Sequence, residues 1–225
     1  MVITEIFRSL QGEGTRAGLP CIFVRLTGCN LRCVWCDTAY AFYGGKKQGL
    51  GEVLDTVNAL AGQPPARIPL VEITGGEPLL QPETPALARA LLDAGFQVLM
   101  ETSGERNIGV LPPGVIRIVD VKCPDSGESG RFDAANLDAL NGEDEIKFVI
   151  ASRRDYDFAR DFALRWNLAS RVRQVLFSPV FPDPAGRWPG LPAAQLAEWV
   201  LQDRLPVRVG LQLHKFIWDP AMKGV

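Results

Sequence analysis

The chain has 225 residues, 47% of them hydrophobic and 22% charged, with a formal net charge of −2. This is the composition of a soluble globular protein rather than a disordered one, and the length suits one domain over residues 1–225. A balanced charge without a basic run excludes a nucleic-acid binder that lives on phosphate contacts, and apolar runs such as 98–100 are too short to cross a bilayer.

The first eight residues carry Glu5 and no signal-type apolar stretch, so a cytoplasmic protein is expected. Residues 21–27, CIFVRLT, read as a buried strand. From Leu50, the positions Val53, Leu54, Val57, Leu60 and Ala61 follow helical spacing. LVEIT (70–74) is a second strand, and Pro82 and Pro85 mark the first turn of a helix that Gly95 ends. FQVLME (96–101) and VIRIVDV (115–121) are further strands, followed by a short helix around Asp133 to Leu140 and a strand at 145–150. Ser152 with Asp155 has the form of a capping box, opening a helix with Tyr156, Ala159, Ala163 and Trp166 on one side. RQVLF (173–177), a Pro- and Gly-rich surface excursion at 179–192, a helix over 192–201 and a last strand, VRVGLQLH (207–214), complete the chain. Strand and helix alternate, which predicts an α/β fold: a partial or modified β/α barrel of about six to seven mostly parallel strands. Chemistry in such folds gathers at the carboxyl ends of the strands.

There are five cysteines and one histidine, His214. An odd cysteine count speaks against a disulfide framework. Cys29, Cys33 and Cys36 follow the first strand at once, in Cys-x3-Cys-x2-Cys spacing, and Gly28 permits the turn into them. A structural zinc asks for four ligands, and the fourth would have to be the distant Cys21, Cys123 or His214. Electron-transfer clusters usually take four thiolates as well. Three thiolates on a four-iron cluster leave one iron open for a substrate. A zinc site, or three cysteines acting as small buried hydrophobes, are the competing readings. Cys21 and Cys123 read as structural.

CNLRCVWC, with an aromatic residue before its last cysteine, resembles the cluster motif of radical S-adenosylmethionine (SAM) enzymes. The second mark of that family is TGGEP, Thr74 to Pro78, at the end of a strand. Its glycine pair would let the main chain approach a ligand closely. The N-terminal segment, with LQGEG (10–14), Arg25 and Asp37-Thr38, resembles the 7-carboxy-7-deazaguanine synthase family over nearly the whole chain. HKFIWDP (214–220) looks like that family's C-terminal segment near the substrate.

The resemblance implies a lyase that turns 6-carboxy-5,6,7,8-tetrahydropterin into 7-carboxy-7-deazaguanine with loss of ammonia, on the way to queuosine or another 7-deazapurine. It implies a [4Fe–4S] cluster on Cys29, Cys33 and Cys36, SAM, and Mg2+ with Thr38 as its protein ligand; the alternative for Thr38 is a helix N-cap. It places SAM against Trp35, Cys36, Asp37, Gly75, Gly76, Glu101, Ser103, Asp120, Val121, Lys122 and Ser178. It places the substrate against Leu10, Gln11, Gly12, Glu13, Arg25, Thr74, His214 and Pro220. Gln11 and Glu13 suit the hydrogen-bonding edge of a pterin, and the fork of Arg25 suits its carboxylate. Asp120 and Lys122 could instead simply pair, and Phe148 and Trp166 read as core. The expected partners are a small-molecule pterin, an electron donor such as flavodoxin or ferredoxin, and a second copy in a homodimer, with neither nucleic acid nor membrane. Two other readings stand beside this one: a radical SAM activase acting on a partner protein, and a non-catalytic zinc or iron–sulfur module.

Overall fold

The computed structural model describes residues 1–225. One nine-stranded sheet organises it. Its strands are β1 (Val2–Leu10), β2 (Pro20–Leu26), β3 (Lys46–Lys47), β4 (Leu70–Gly75), β5 (Gln97–Thr102), β6 (Ile116–Asp120), β7 (Glu145–Ile150), β8 (Gln174–Pro179) and β9 (Arg208–Val209). Their order in space is β3-β1-β2-β4-β5-β6-β7-β8-β9. From β2 through β4 to β9 every neighbouring pair is parallel, which gives seven parallel strands, within the six to seven expected. The sheet does not close, because β3 and β9 lie at opposite edges.

Strand alternation splits the sheet into two faces. Ile22, Val24, Val71, Ile73, Val98 and Met100 pack outward with Val53, Val57, Leu87 and Leu91 of helices α1 (Leu50–Ala61) and α2 (Thr84–Asp93). Ile146, Phe148, Val175 and Phe177 do the same with Tyr156 and Ala159 of α3 (Arg153–Arg165) and Leu196 of α4 (Ala193–Asp203). The inner face is apolar only at its amino end, where Cys21, Phe23, Leu70, Leu99, Ile116 and Ile118 cluster. Toward the carboxyl ends the same rows turn polar: Arg25, Glu72, Thr74, Glu101, Asp120 and Lys147. No helix is long and apolar enough to cross a membrane.

Four local expectations change. β1 is a strand that periodicity missed, because Thr4, Glu5 and Arg8 interrupt it and its pairing with β2 shifts between Ile3 and Glu5. Helices do not alternate with strands throughout: only short 3-10 turns join β5 to β6 and β6 to β7, and the expected 133–140 helix is one of them, Ala134–Ala139. The last strand is two residues long. Gly210 donates to the Phe177 carbonyl, and the chain then leaves the sheet edge for a single helical turn, α5 (His214–Ile217). Ser152 does cap α3, its hydroxyl accepting from the Asp155 N–H at 3.3 Å. The reciprocal half of the box is absent, since the Asp155 carboxylate accepts from Ala151 and Asp125 instead.

Candidate active site

A cavity of about 240 Å³ opens at the carboxyl ends of the parallel strands. The cysteine loop forms one wall. It leaves β2 at Leu26 and turns at Gly28, whose φ is +103°. Gly28 donates to the Ala41 carbonyl and accepts from the Glu77 N–H, both at 2.8 Å. On its far side Val34 donates to the Ser126 carbonyl and Arg32 stacks on the Phe42 ring, 4.3 Å from its centroid. Cys29, Cys33 and Cys36 are free, half-buried and line the cavity. Burial pushes the Cys33 thiol up to about 11, with Lys122 pulling it back.

Three thiols on one cavity wall suit a cluster held by three thiolates. No set of three His, Cys, Asp or Glu side chains closes on one metal ion. Two buried acceptors near this wall, Asn30 Oδ1 and Asp120 Oδ1, have no partner in the protein, and Asp120 faces the cavity, where SAM would supply one.

The TGGEP turn is packed tightly against the cysteine loop. A Cβ at Gly75 would strike the Leu26 backbone, and one at Gly76 would strike Gly28 and Cys29. The glycines therefore let the end of β4 press against the cysteine loop while their main chain lines the cavity. Glu77, 1% exposed, accepts from the Thr102 hydroxyl (2.8 Å), the Ser103 N–H (2.8 Å) and the Ser103 hydroxyl (2.7 Å). It fixes the ETSG turn after β5. The Ser103 hydroxyl proton is thereby committed, which leaves only its lone pairs for a ligand.

The opposite wall is the LQGEG segment. Glu145 of β7, 1% exposed, pins it by accepting from the Thr15 N–H and from Arg16 at 3.2 Å each. Gly14, at φ +72°, leaves room for that carboxylate. Gly12 leaves room for the His214 ring, and the Gly12 carbonyl accepts from Leu213 at 2.8 Å. The C-terminal segment is thus docked onto the N-terminal one. It also reaches the cysteine loop, where Lys215 donates to Asp37 at 2.8 Å. Burial raises the Asp37 carboxyl, but Lys215 more than offsets it, so the net shift is downward.

Between the walls lies a buried charge cluster. Lys147 pairs with Glu13 (3.0 Å), Glu101 and Asp120 (3.8 Å), and Lys122 pairs with Asp120 at 2.7 Å. Burial would lower Lys147, yet Glu101 and Glu13 hold it well above the usual lysine range. Burial would likewise raise Glu101, and Lys147 brings it below the usual carboxylate range. Arg25 lines the cavity with its Nε donating to Glu5 at 2.8 Å and both Nη atoms free of protein partners. Tyr40 donates to the same Glu5 oxygen at 2.7 Å.

The cavity collects nearly every residue the sequence singled out. Leu10 to Glu13, Arg25, Trp35 to Thr38, Thr74 to Gly76, Glu101, Ser103, Asp120, Lys122 and His214 all line it. Three do not. Val121 points into the outer core, 1% exposed, because it has the wrong strand parity. Ser178 has the right parity but is covered, its hydroxyl lying against Gly210. Pro220 is exposed beyond α5, and Val225 lines the cavity instead. Thr38 makes no cap bond to the short turn it precedes; its hydroxyl lies 3.8 Å from Cys36 Sγ. The excursion at 179–192 is more than surface: Phe181 and Trp188 wall the cavity. Sequence reading missed Lys147 and Glu72. Both sit on strands whose inner-facing positions carry charge, and that period-two placement was the available signal.

A radical SAM superfamily model matches residues 23–165. With the cysteine loop, the TGGEP turn and the open parallel sheet around one cavity, the chain belongs to the radical SAM superfamily. A 7-carboxy-7-deazaguanine synthase of Koribacter versatilis (strain Ellin345) is 54% identical, covering 100% of both chains. Another, of Chlorobaculum tepidum, is 43% identical over 99% of this chain and 96% of its own. Within the superfamily the chain therefore belongs to the 7-carboxy-7-deazaguanine synthase family. The crystal structure of QueE from Escherichia coli shares the fold, with a TM-score of 0.70 and 24% identity over 95% of this chain and 94% of that one. Membership brings a [4Fe–4S] cluster, SAM and Mg2+ as cofactors, a small-molecule substrate and a reductant, and it does not favour the activase reading.

Proposed function

We propose that this chain converts 6-carboxy-5,6,7,8-tetrahydropterin to 7-carboxy-7-deazaguanine with loss of ammonia, within one radical SAM domain over residues 1–225. The observation that carries this reading is the meeting, in one cavity, of three free thiols with the Gln11–Glu13 segment and Arg25. The chemistry that the cluster and SAM supply when bound is hydrogen-atom abstraction at the pterin C6, followed by its return.

The chain does the rest. Cys29, Cys33 and Cys36 would hold the cluster as thiolates. The main chain at Gly75-Gly76, with Glu101 and Asp120, would hold SAM, Asp120 Oδ1 accepting from one of its hydroxyls. Arg25, steadied by Glu5, offers both Nη atoms to the substrate carboxylate as a fork. Gln11 and Glu13 address the ring edge. Thr38 would give Mg2+ one oxygen, and substrate oxygens and waters would complete the coordination. Phe181 and Trp188 help to exclude water, and the groups that orient the pterin confine the reaction to one C–H bond. A flavodoxin or ferredoxin as reductant, a homodimer and a cytoplasmic setting complete the reading.

The test is an anaerobic assay of reconstituted protein with SAM, Mg2+, dithionite and the pterin, following 7-carboxy-7-deazaguanine by mass. Product that requires all three cysteines supports it. Cleavage of SAM with no conversion of the pterin would refute it.

A further inference from the structure

Glu72 lies on the inner face of β4, two residues before Thr74, and is 3% exposed. The side-chain amide of Gln11 is oriented by its own neighbour: Gln11 Oε1 accepts from the Glu13 N–H at 2.9 Å. Gln11 Nε2 therefore turns to Glu72 and donates to its Oε2. The other Glu72 oxygen takes no hydrogen bond from the protein and is not sealed off, so it opens on the cavity.

The groups that face Glu72 come from four elements. Glu101 on β5 and Glu13 in the N-terminal segment bring like charge; Lys147 on β7 and Arg25 and Cys21 on β2 complete the set. Lys147 is shared among Glu101, Glu13 and Asp120, and Arg25 holds Glu5. Neither Lys147 nor Arg25 forms an ion pair with Glu72, and both act on it only through their charge at a distance. Burial first, and then the charge of Glu101, hold its carboxyl well above the usual carboxylate range. A carboxylic acid kept neutral in this way can donate a hydrogen bond, which an ionised carboxylate cannot. Glu13 and Glu101, ion-paired with Lys147, offer only acceptors.

We infer that Glu72 is a specificity residue, presenting a carboxylic O–H from its free oxygen to a hydrogen-bond acceptor on the bound ring while Gln11 holds the other oxygen. This rests on the pterin reading above, and for a pterin the acceptor is the 4-oxo group. The N–H edge beside it meets the acceptor-only carboxylate of Glu13. A ring with an amino group at that position would place donor against donor, leaving buried polar groups unpaired.

Equilibrium binding tests this with two stable probes, 6-carboxypterin and 2,4-diaminopteridine-6-carboxylate, on reconstituted wild type, Glu72→Gln and Glu72→Leu. Wild type should prefer the 4-oxo probe by about tenfold or more. That preference should fall as pH rises through the Glu72 ionisation. Glu72→Gln, whose amide also donates and accepts, should keep the preference and lose its fall with pH. Glu72→Leu should reduce the preference to the part that comes from the ring N–H, which the diamino probe also lacks, and raise KM for the pterin with kcat little changed. Unaltered melting temperature and cluster absorbance identify folded variants. If Glu72→Leu keeps the full wild-type preference, or the alkaline fall persists undiminished in Glu72→Gln, the inference is overturned; the second arm holds even if the leucine variant does not fold. Wild type that converts the pterin without preferring the 4-oxo probe defeats this inference alone. Wild type that neither binds nor converts it defeats the functional reading as well.

Discussion

Thr38 and Lys147 show how single side chains divide between binding and stability. The Thr38 hydroxyl caps nothing, so its removal has no helix to weaken. Thr38→Val should leave the melting temperature unchanged, keep the iron content and lower turnover with loss of Mg2+ stimulation. Full Mg2+ stimulation in the variant would remove Thr38 from the ligand set. Lys147 holds two carboxylates in a buried site, and Lys147→Met would leave them uncompensated. Breaking such a pair costs about 3–5 kcal/mol. The sign with pH follows from Glu101, whose folded carboxyl lies below its unfolded value. Its stabilisation is complete above the unfolded carboxylate pKa and is lost as pH falls through the folded one. The stability gap between wild type and Lys147→Met should therefore be widest at neutral pH and narrow on acidification, in urea titrations across pH. A gap that widens at low pH would contradict the pairing.

At the scale of elements, the cavity is closed by two segments from opposite ends of the chain. Residues 10–14 and α5 meet where Gly12 accepts the His214 ring. A methyl at this glycine displaces His214 and with it the one-turn helix, whose residues are half-buried or exposed. Gly12→Ala should therefore raise KM for the pterin about tenfold, the size of one lost polar contact. The melting temperature should move by no more than about 2–4 °C, because little apolar area depends on α5. A variant with wild-type KM would show that the docking of α5 does not shape the substrate site. The 179–192 excursion acts in the same way from the side, bringing Phe181 against Phe216 of α5 with ring centroids 5.6 Å apart.

For the whole molecule, the division of labour runs across the sheet. The outer face carries the two large apolar clusters with all four long helices, and the inner face carries the chemistry. The cysteine loop belongs to neither apolar cluster. Folding should thus not depend on metal, unlike a small zinc domain that is unfolded without its ion. Cys29→Ser, Cys33→Ser and Cys36→Ser combined should give protein with native far-UV circular dichroism and a cooperative melt, but no iron and no SAM cleavage. An unfolded triple variant would mean that the cluster is part of the core.

The sequence by itself determined the parallel strands, the cysteine loop and the glycine turn after β4. Each is a local signal: a run of apolar residues, a short spacing, a residue needed by a backbone that turns or approaches closely. It also marked most of the cavity's lining, because strand ends are where such folds gather their loops. Only the tertiary structure decided the rest. β1 becomes a strand by pairing with β2, despite the charges that hide its period. Parity turns the Val121 side chain away from the cavity, the Ser178 hydroxyl lies against Gly210 and Pro220 is exposed beyond α5, and none of these placements can be read one residue at a time. Lys147 and Glu72 acquire their roles from partners up to 134 residues away. Burial and pairing set which carboxyl is charged and which is neutral, and those are properties of the folded site alone.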